Sequence, residues 1–326
     1  MLQPIELKKD FPVELSDGVL SSTGKVWEIL SASKEGNLQR VKELVTEYPA
    51  LAYAQYNYTP PIHFAVREGH KELVSYLLQL GAHAPSYRIY PFLDTLQTIA
   101  ADRGYMDIVS QLDLYASNPD LHVYSGDNGA IHYNRTETEA AFEEAVGRGD
   151  ISKVAALLKD HPKLTEDETF FWGEGILMRP AKENKREMVE LLMKHGATVP
   201  SLLKWTQFYY FENYEIAAFL VDNGMNPNVQ SWHHVTILHD MAQKGDIAKA
   251  KLLIEHGADI NRIDEEYQST PLGMAARWGH EEMVKYLIGQ GADPNTSGAS
   301  WATPLAWATK KEHQVIEKLL HKAGAQ

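Results

Sequence analysis

Fourteen histidines, seven tryptophans, sixteen tyrosines and no cysteine bound the chemistry open to this chain of 326 residues. Without thiols there is no disulfide framework, no thiolate metal site and no cysteine nucleophile. His233-His234 with His239-Asp240 holds the residue types of a metal site. Arg148-Gly149-Asp150 spells an adhesion tripeptide. The acidic pairs Glu143-Glu144, Glu265-Glu266 and Glu281-Glu282 are sequence neighbours, so on helices they point apart and read as solvated surface. There is no glycine-rich phosphate loop, no nucleophile elbow and no His-Glu-x-x-His signature. What remains is aromatic. Trp and Tyr each bury a large rigid area with a polar handle, which is the chemistry of recognition rather than of bond making.

The elements that carry these side chains recur about every 33 residues, and the clearest copy runs from Ser269 to Gly291. Thr270 suits an N-cap and Pro271 the first helical position, where a missing N–H costs nothing. Ala275 and Ala276 are small enough for a second helix to approach closely, and Gly279 permits the tight turn between the two. Met283, Val284, Leu287 and Ile288 form that helix's apolar stripe, and Gly291 ends it. With the turn as anchor, nine copies fall at Gly36, Gly69, Gly104, Gly149, Asn184, Glu212, Gly245, Gly279 and Glu312, in steps of 33, 35, 45, 35, 28, 33, 34 and 33. A fixed period of this length predicts a stacked array whose units cannot bury their apolar faces alone.

These phrases resemble the ankyrin repeat, whose Thr-Pro-Leu-His motif is legible as Thr236-Ile237-Leu238-His239 and Pro61-Ile62-His63, with Thr270-Pro271 and Thr303-Pro304 besides. The closing Gly-Ala stands at Gly81, Gly196, Gly257 and Gly291, and the resemblance covers roughly residues 25–324. It implies an all-α solenoid of about nine helix-turn-helix repeats with short β-hairpin fingers. In such a family His239 is a motif histidine that braces neighbouring loops, and His195 and His256 sit in last turns, where a partial positive charge opposes the helix dipole. Gly149-Asp150 is then the family turn. No metal, catalytic residue or cofactor is expected.

Two steps break the period. The 45-residue step contains Leu121-His122-Val123-Tyr124, Gly126-Asp127-Asn128-Gly129 and Ala130-Ile131-His132-Tyr133, alternation around an Asn-Gly turn that predicts one β-hairpin insert. It reads either as a tolerated surface loop or as an arm that contacts a partner. The predicted organisation is an N-terminal extension over 1–24, a first array of three repeats over 25–116, the insert over 117–135, and a second array of six repeats over 136–326. The 28-residue step leaves a short finger, and Phe208 and Tyr209 stand where the alanine pair belongs, with Trp205, Tyr210 and Phe211 around them. Pro180 should kink or shorten the fifth unit's first helix. A bend or aromatic notch is predicted between about 165 and 232.

The resemblance implies partner binding through finger tips and the concave face of the first helices. The residues expected there are Trp172, Tyr210, Phe211, Trp232, His233, Tyr267, Trp278 and Trp301, either as a binding stripe or each packed on its neighbouring finger. The expected function is a non-enzymatic scaffold, monomeric and cytoplasmic. The alternative is a small-ligand binder or unconventional enzyme using the notch. A net charge of −13 argues against nucleic acid or an anionic membrane and predicts a partner with a basic or mixed surface. No run of 18 apolar residues and no signal-peptide pattern is present.

Overall fold

The computed structural model describes residues 1–8, 10–16, 19–89, 92–121, 135–204 and 209–326, without side-chain detail at 14, 16, 19, 20 and 172. The expected insert therefore lies, over 122–134, outside the described residues, as do Trp205 and Phe208 of the expected notch. The chain is mostly helical and divides into two compact units, Gln3–Tyr133 and Asn134–Gln326 with Met1–Leu2.

In the first unit, a short helix Ile5–Lys8 (α1) leads into an antiparallel hairpin, Pro12–Ser16 (β1) against Val19–Ser22 (β2), with Val13 facing Ser21. Leu7, Val13 and Leu15 are buried, so much of the expected extension is packed structure. Its sequence signal was alternation around Asp17-Gly18. Three helix pairs follow: Thr23–Glu35 (α2) and Leu38–Glu47 (α3), Pro61–Arg67 (α4) and Lys71–Gln79 (α5), Leu96–Asp102 (α6) and Met106–Ala116 (α7). Ser22 and Thr95 cap α2 and α6 by accepting backbone N–H groups, which satisfies donors a helix start leaves open. The interior mixes aliphatic and aromatic side chains, with Ile29, Leu44, Ile62, Phe64 and Leu77 fully buried, each stabilising the fold by roughly 1.5–3 kcal/mol.

The second unit repeats the pattern with Glu137–Arg148 (α8) and Ile151–Asp160 (α9), then a single turn Phe170–Gly173 (α10), then Met178–Lys182 (α11) and Arg186–Lys194 (α12). α11 holds five residues with Pro180 inside it, as a ring without an N–H dictates. Next come the short strand Leu202–Leu203 (β3), a 3₁₀ turn over Tyr209–Phe211 and the helix Tyr214–Asp222 (α13). Gln230–Ser231 (β4) pairs parallel to β3. Three regular pairs complete the unit: Ile237–Lys244 (α14) and Ile247–Glu255 (α15), Pro271–Trp278 (α16) and Glu281–Gly289 (α17), Pro304–Lys310 (α18) and Gln314–Lys322 (α19).

Eight of the nine anchors adopt left-handed φ, including the non-glycines Asn184 (55°) and Glu312 (59°); Glu212 does not. The anchor does a second job. A histidine from the next pair lies on it and donates Nε2–H across the turn: His70 to the Lys34 carbonyl (2.8 Å), His280 to Gln243 (2.7 Å) and His313 to Arg277 (3.2 Å). A Cβ built at Gly279 would sit 2.8 Å from His313 Cε1, so both φ and the stacked ring exclude a side chain. Farther out, Asn228, Asn261 and Asn295 tie successive connections: Asn228 Oδ1 accepts from Asp259 N (2.7 Å) and Asn261 Oδ1 from Asp293 N (2.9 Å).

Candidate partner-binding surface

The aromatic cluster of the second unit is built from the backbone of one finger. Asp264 is buried, and its two carboxylate oxygens accept from the backbone N–H of Tyr267 (2.7 Å) and Ser269 (3.2 Å), while its own N–H donates to the Ser269 carbonyl (3.0 Å). Burial pushes its carboxyl up to about 7, with those backbone donors pulling the other way. The pinned turn places the fully buried Tyr267 ring edge-on to Trp278 (5.6 Å) and to Trp307 (6.3 Å). Trp307 in turn donates Nε1–H to Ser269 Oγ (3.1 Å), and Trp301 stands perpendicular to it at 5.7 Å. The Arg277 guanidinium lies among three rings, 4.2 Å from Trp278, 4.6 Å from Tyr267 and 5.0 Å from Trp307. Lys310 lies over Trp307 at 5.7 Å.

The expected contact residues separate by burial. Tyr267, Tyr210, Phe211 and Trp232 are core residues, 0–2% exposed, and His233 is buried at 9%. Trp278 and Trp301 are half-buried and keep a solvent-facing surface. Trp172 lies in α10, with its side chain outside the description. Tyr210 donates its hydroxyl to the Glu174 carbonyl, and burial holds that phenol well above its ordinary range. The same hydroxyl lies 3.3 Å from where a Cβ on Gly175 would stand. With Phe170 and Phe171, these rings pack the described part of the expected notch. Trp232 packs on His233 at 4.2 Å, and its carbonyl accepts the Leu2 N–H at 2.9 Å.

The histidines of the expected cluster each take another partner. His239 Nδ1 accepts from Thr236 N (3.1 Å) and its Nε2–H donates to the Ser269 carbonyl (3.2 Å), the brace implied by the family likeness. Full burial depresses that imidazole to about 4. His233 Nδ1 meets Glu266 Oε2 at 3.0 Å, and Asp240 Oδ2 accepts from Lys244 Nζ at 2.6 Å. The adhesion tripeptide is likewise a turn, since Gly149 is left-handed, Asp150 caps α9 and Arg148 pairs with Glu144.

A family model described as ankyrin repeats, in three copies, matches residues 206–298 and 238–326, and a single ankyrin-repeat model matches 57–88. The chain carries ankyrin repeats in these segments. Mouse palmitoyltransferase ZDHHC13 is 31% identical over 124 residues, 38% of this chain and 20% of that protein. Mouse 2-5A-dependent ribonuclease is 39% identical over 62 residues, 19% of this chain and 8% of its own. The ankyrin repeat and KH domain-containing protein mask-1 of Caenorhabditis elegans is 27% identical over 275 residues, 82% of this chain and 10% of its length. The chain thus spans a fifth or less of these relatives, and their enzyme names attach to proteins far longer than the matched ankyrin segment. Among the described residues no helix is long and apolar enough to cross a membrane.

Two contributors were missed in the sequence reading, Trp307 and Asp264; Arg277 and Lys244 fall among the positions just before the turns where contacts are expected, and Lys310 on the polar face of the last unit. Trp307 occupies the position held by Met274 and Asp240 in the preceding ankyrin units, which marked it as interior.

Proposed function

We propose that this ankyrin-repeat protein is a non-enzymatic interaction module that binds another protein across the first helices and fingers of its second unit. In this reading nine repeats lie in arrays over 25–116 and 136–326, the chain acts as a monomer in the cytoplasm, and nucleic acid is not its partner. The contact centres on Trp278 and Trp301. One observation carries the reading: two indoles keep solvent-facing surface while a buried frame of Asp264, Ser269, Tyr267 and Trp307 holds their positions. Rigid, part-exposed aromatics lose little entropy on contact and are enriched among the residues that dominate interface energy. Tyr210, Phe211, Trp232 and Tyr267 support the surface from below, and His233 stiffens the neighbouring finger. Replacing Trp278 and Trp301 together by Ala should weaken capture of the native partner by about 30-fold or more, the level of a hot-spot loss near 2 kcal/mol. The thermal midpoint should stay close to wild type. Equal capture by the folded variant rejects the site.

A further inference from the structure

The partner's chemistry can be narrowed, and this step rests on the binding surface proposed above. The chain is strongly acidic, yet its carboxylates are not spread evenly. In the second unit the second helices carry nine carboxylates, from Asp160 to Glu317, matched by nine lysines and arginines, from Lys153 to Lys322. Over α14, α16 and α18 the one carboxylate is Asp240, which is buried, whereas the last turns present Lys244, Arg277 and Lys310. α14 packs on α16 and α16 on α18. Counted from the turns at Gly245, Gly279 and Glu312, Lys244 stands level with Trp278 and Lys311, and Arg277 with Lys310. A cation suits the carbonyl end of a helix, which accounts for one charge per helix. It does not account for the indoles between them: Arg277 is stacked among Tyr267, Trp278 and Trp307, and Lys310 over Trp307.

We infer that the row Lys244–Trp278–Lys311, with Lys310 beside it and the buried Arg277 stacked on Trp278, is a docking surface for an acidic polypeptide segment whose carboxylates face the lysines while its apolar side chains lie on Trp278 and Trp301. Whole-chain charge points to a basic or mixed partner; local charge on this face points the other way, and contact within a Debye length of about 8 Å is governed by local charge. Lys244 is half exposed and Lys310 exposed, so both can meet carboxylates of an incoming chain.

The test is to pan a random twelve-residue phage-displayed peptide library on the full chain, on Lys244→Gln/Lys310→Glu, on Lys310→Glu alone and on Trp278→Ala/Trp301→Ala, each verified as folded by circular dichroism. The expected result is enrichment of net-negative peptides on the native chain, with binding at least roughly tenfold weaker on the charge variants and weaker still in high salt. Neutral or basic winners that need Trp278 and Trp301 overturn the acidic assignment and leave the binding surface standing. Acidic winners indifferent to the tryptophans keep the cation row and reject the aromatic site. No enrichment, or enrichment untouched by any variant, rejects both. Equal retention of a short DNA duplex marks a general polyanion surface and also overturns the inference.

Discussion

Asp240 offers the sharpest energetic prediction. It occupies the repeat position where the next two ankyrin units hold Met274 and Trp307, and it is 1% exposed. Oδ2 takes the Lys244 ammonium at 2.6 Å, but Oδ1 has no hydrogen-bond partner. Burial raises the carboxyl from 3.8 to about 6, against the pull of Lys244 and Lys249 and with Asp246 adding to the rise. The folded chain therefore holds this proton more tightly than the unfolded one. Its stability is undiminished below about pH 4 and falls as pH rises through 6. At 1.36 kcal/mol per unit, the charged carboxylate costs about 3 kcal/mol above pH 7. Asp240→Asn removes that charge and leaves a buried amide incompletely bonded, which costs about 1 kcal/mol. The net gain at pH 8 is about 2 kcal/mol, or about 4–8 °C in melting temperature for a domain of this size. Urea unfolding followed by tryptophan fluorescence at pH 4 and pH 8 measures it. The variant should be clearly more stable at pH 8 and near wild type at pH 4. An equal effect at both values, or a loss at pH 8, would refute the reasoning.

His239 acts with the opposite sign. Its folded value of about 4 lies below the ordinary 6.5, so stability is present above 6.5 and lost as pH falls toward 4, by about 3 kcal/mol; His239→Gln should flatten that part of the difference between the two proteins' pH curves. Gly279→Ala should destabilise by about 2–3 kcal/mol, from left-handed strain plus contact with His313. Adding His313→Ala should return only the steric share, as a double-mutant cycle will read. Tyr210→Phe removes the buried hydroxyl's hydrogen bond to the Glu174 carbonyl and should cost about 1 kcal/mol in urea unfolding, with no change in partner capture.

The period made the helix pairs legible because glycine, Thr-Pro and apolar spacing are local signals. Asn184 and Glu312 were legible as turns despite lacking glycine, since the period demanded a left-handed residue there. Glu212 was read as a turn on the same grounds and is not left-handed, because the short step replaces a regular first helix with the 3₁₀ turn Tyr209–Phe211. The binding residues were harder. A tryptophan at a finger reads the same in sequence whether it faces solvent, like Trp301, or the core, like Trp232. What separates them is the bonding of the surrounding backbone, such as the grip of Asp264 on the 267–269 turn, and that is tertiary information. One consequence is practical. Alanine at Tyr210, Phe211 and Trp232 would open core cavities costing about 3–5 kcal/mol each, so lost binding there would report unfolding.

Site-specific photo-crosslinking tests the central claim most directly. A photoreactive phenylalanine analogue is placed at position 278, at 301 or at the exposed Val315 of α19, and irradiated in native lysate. The account predicts the same protein crosslinked from 278 and 301 and not from 315. Crosslinking from 315 alone, or from none of the three while the partner still co-purifies, would contradict it.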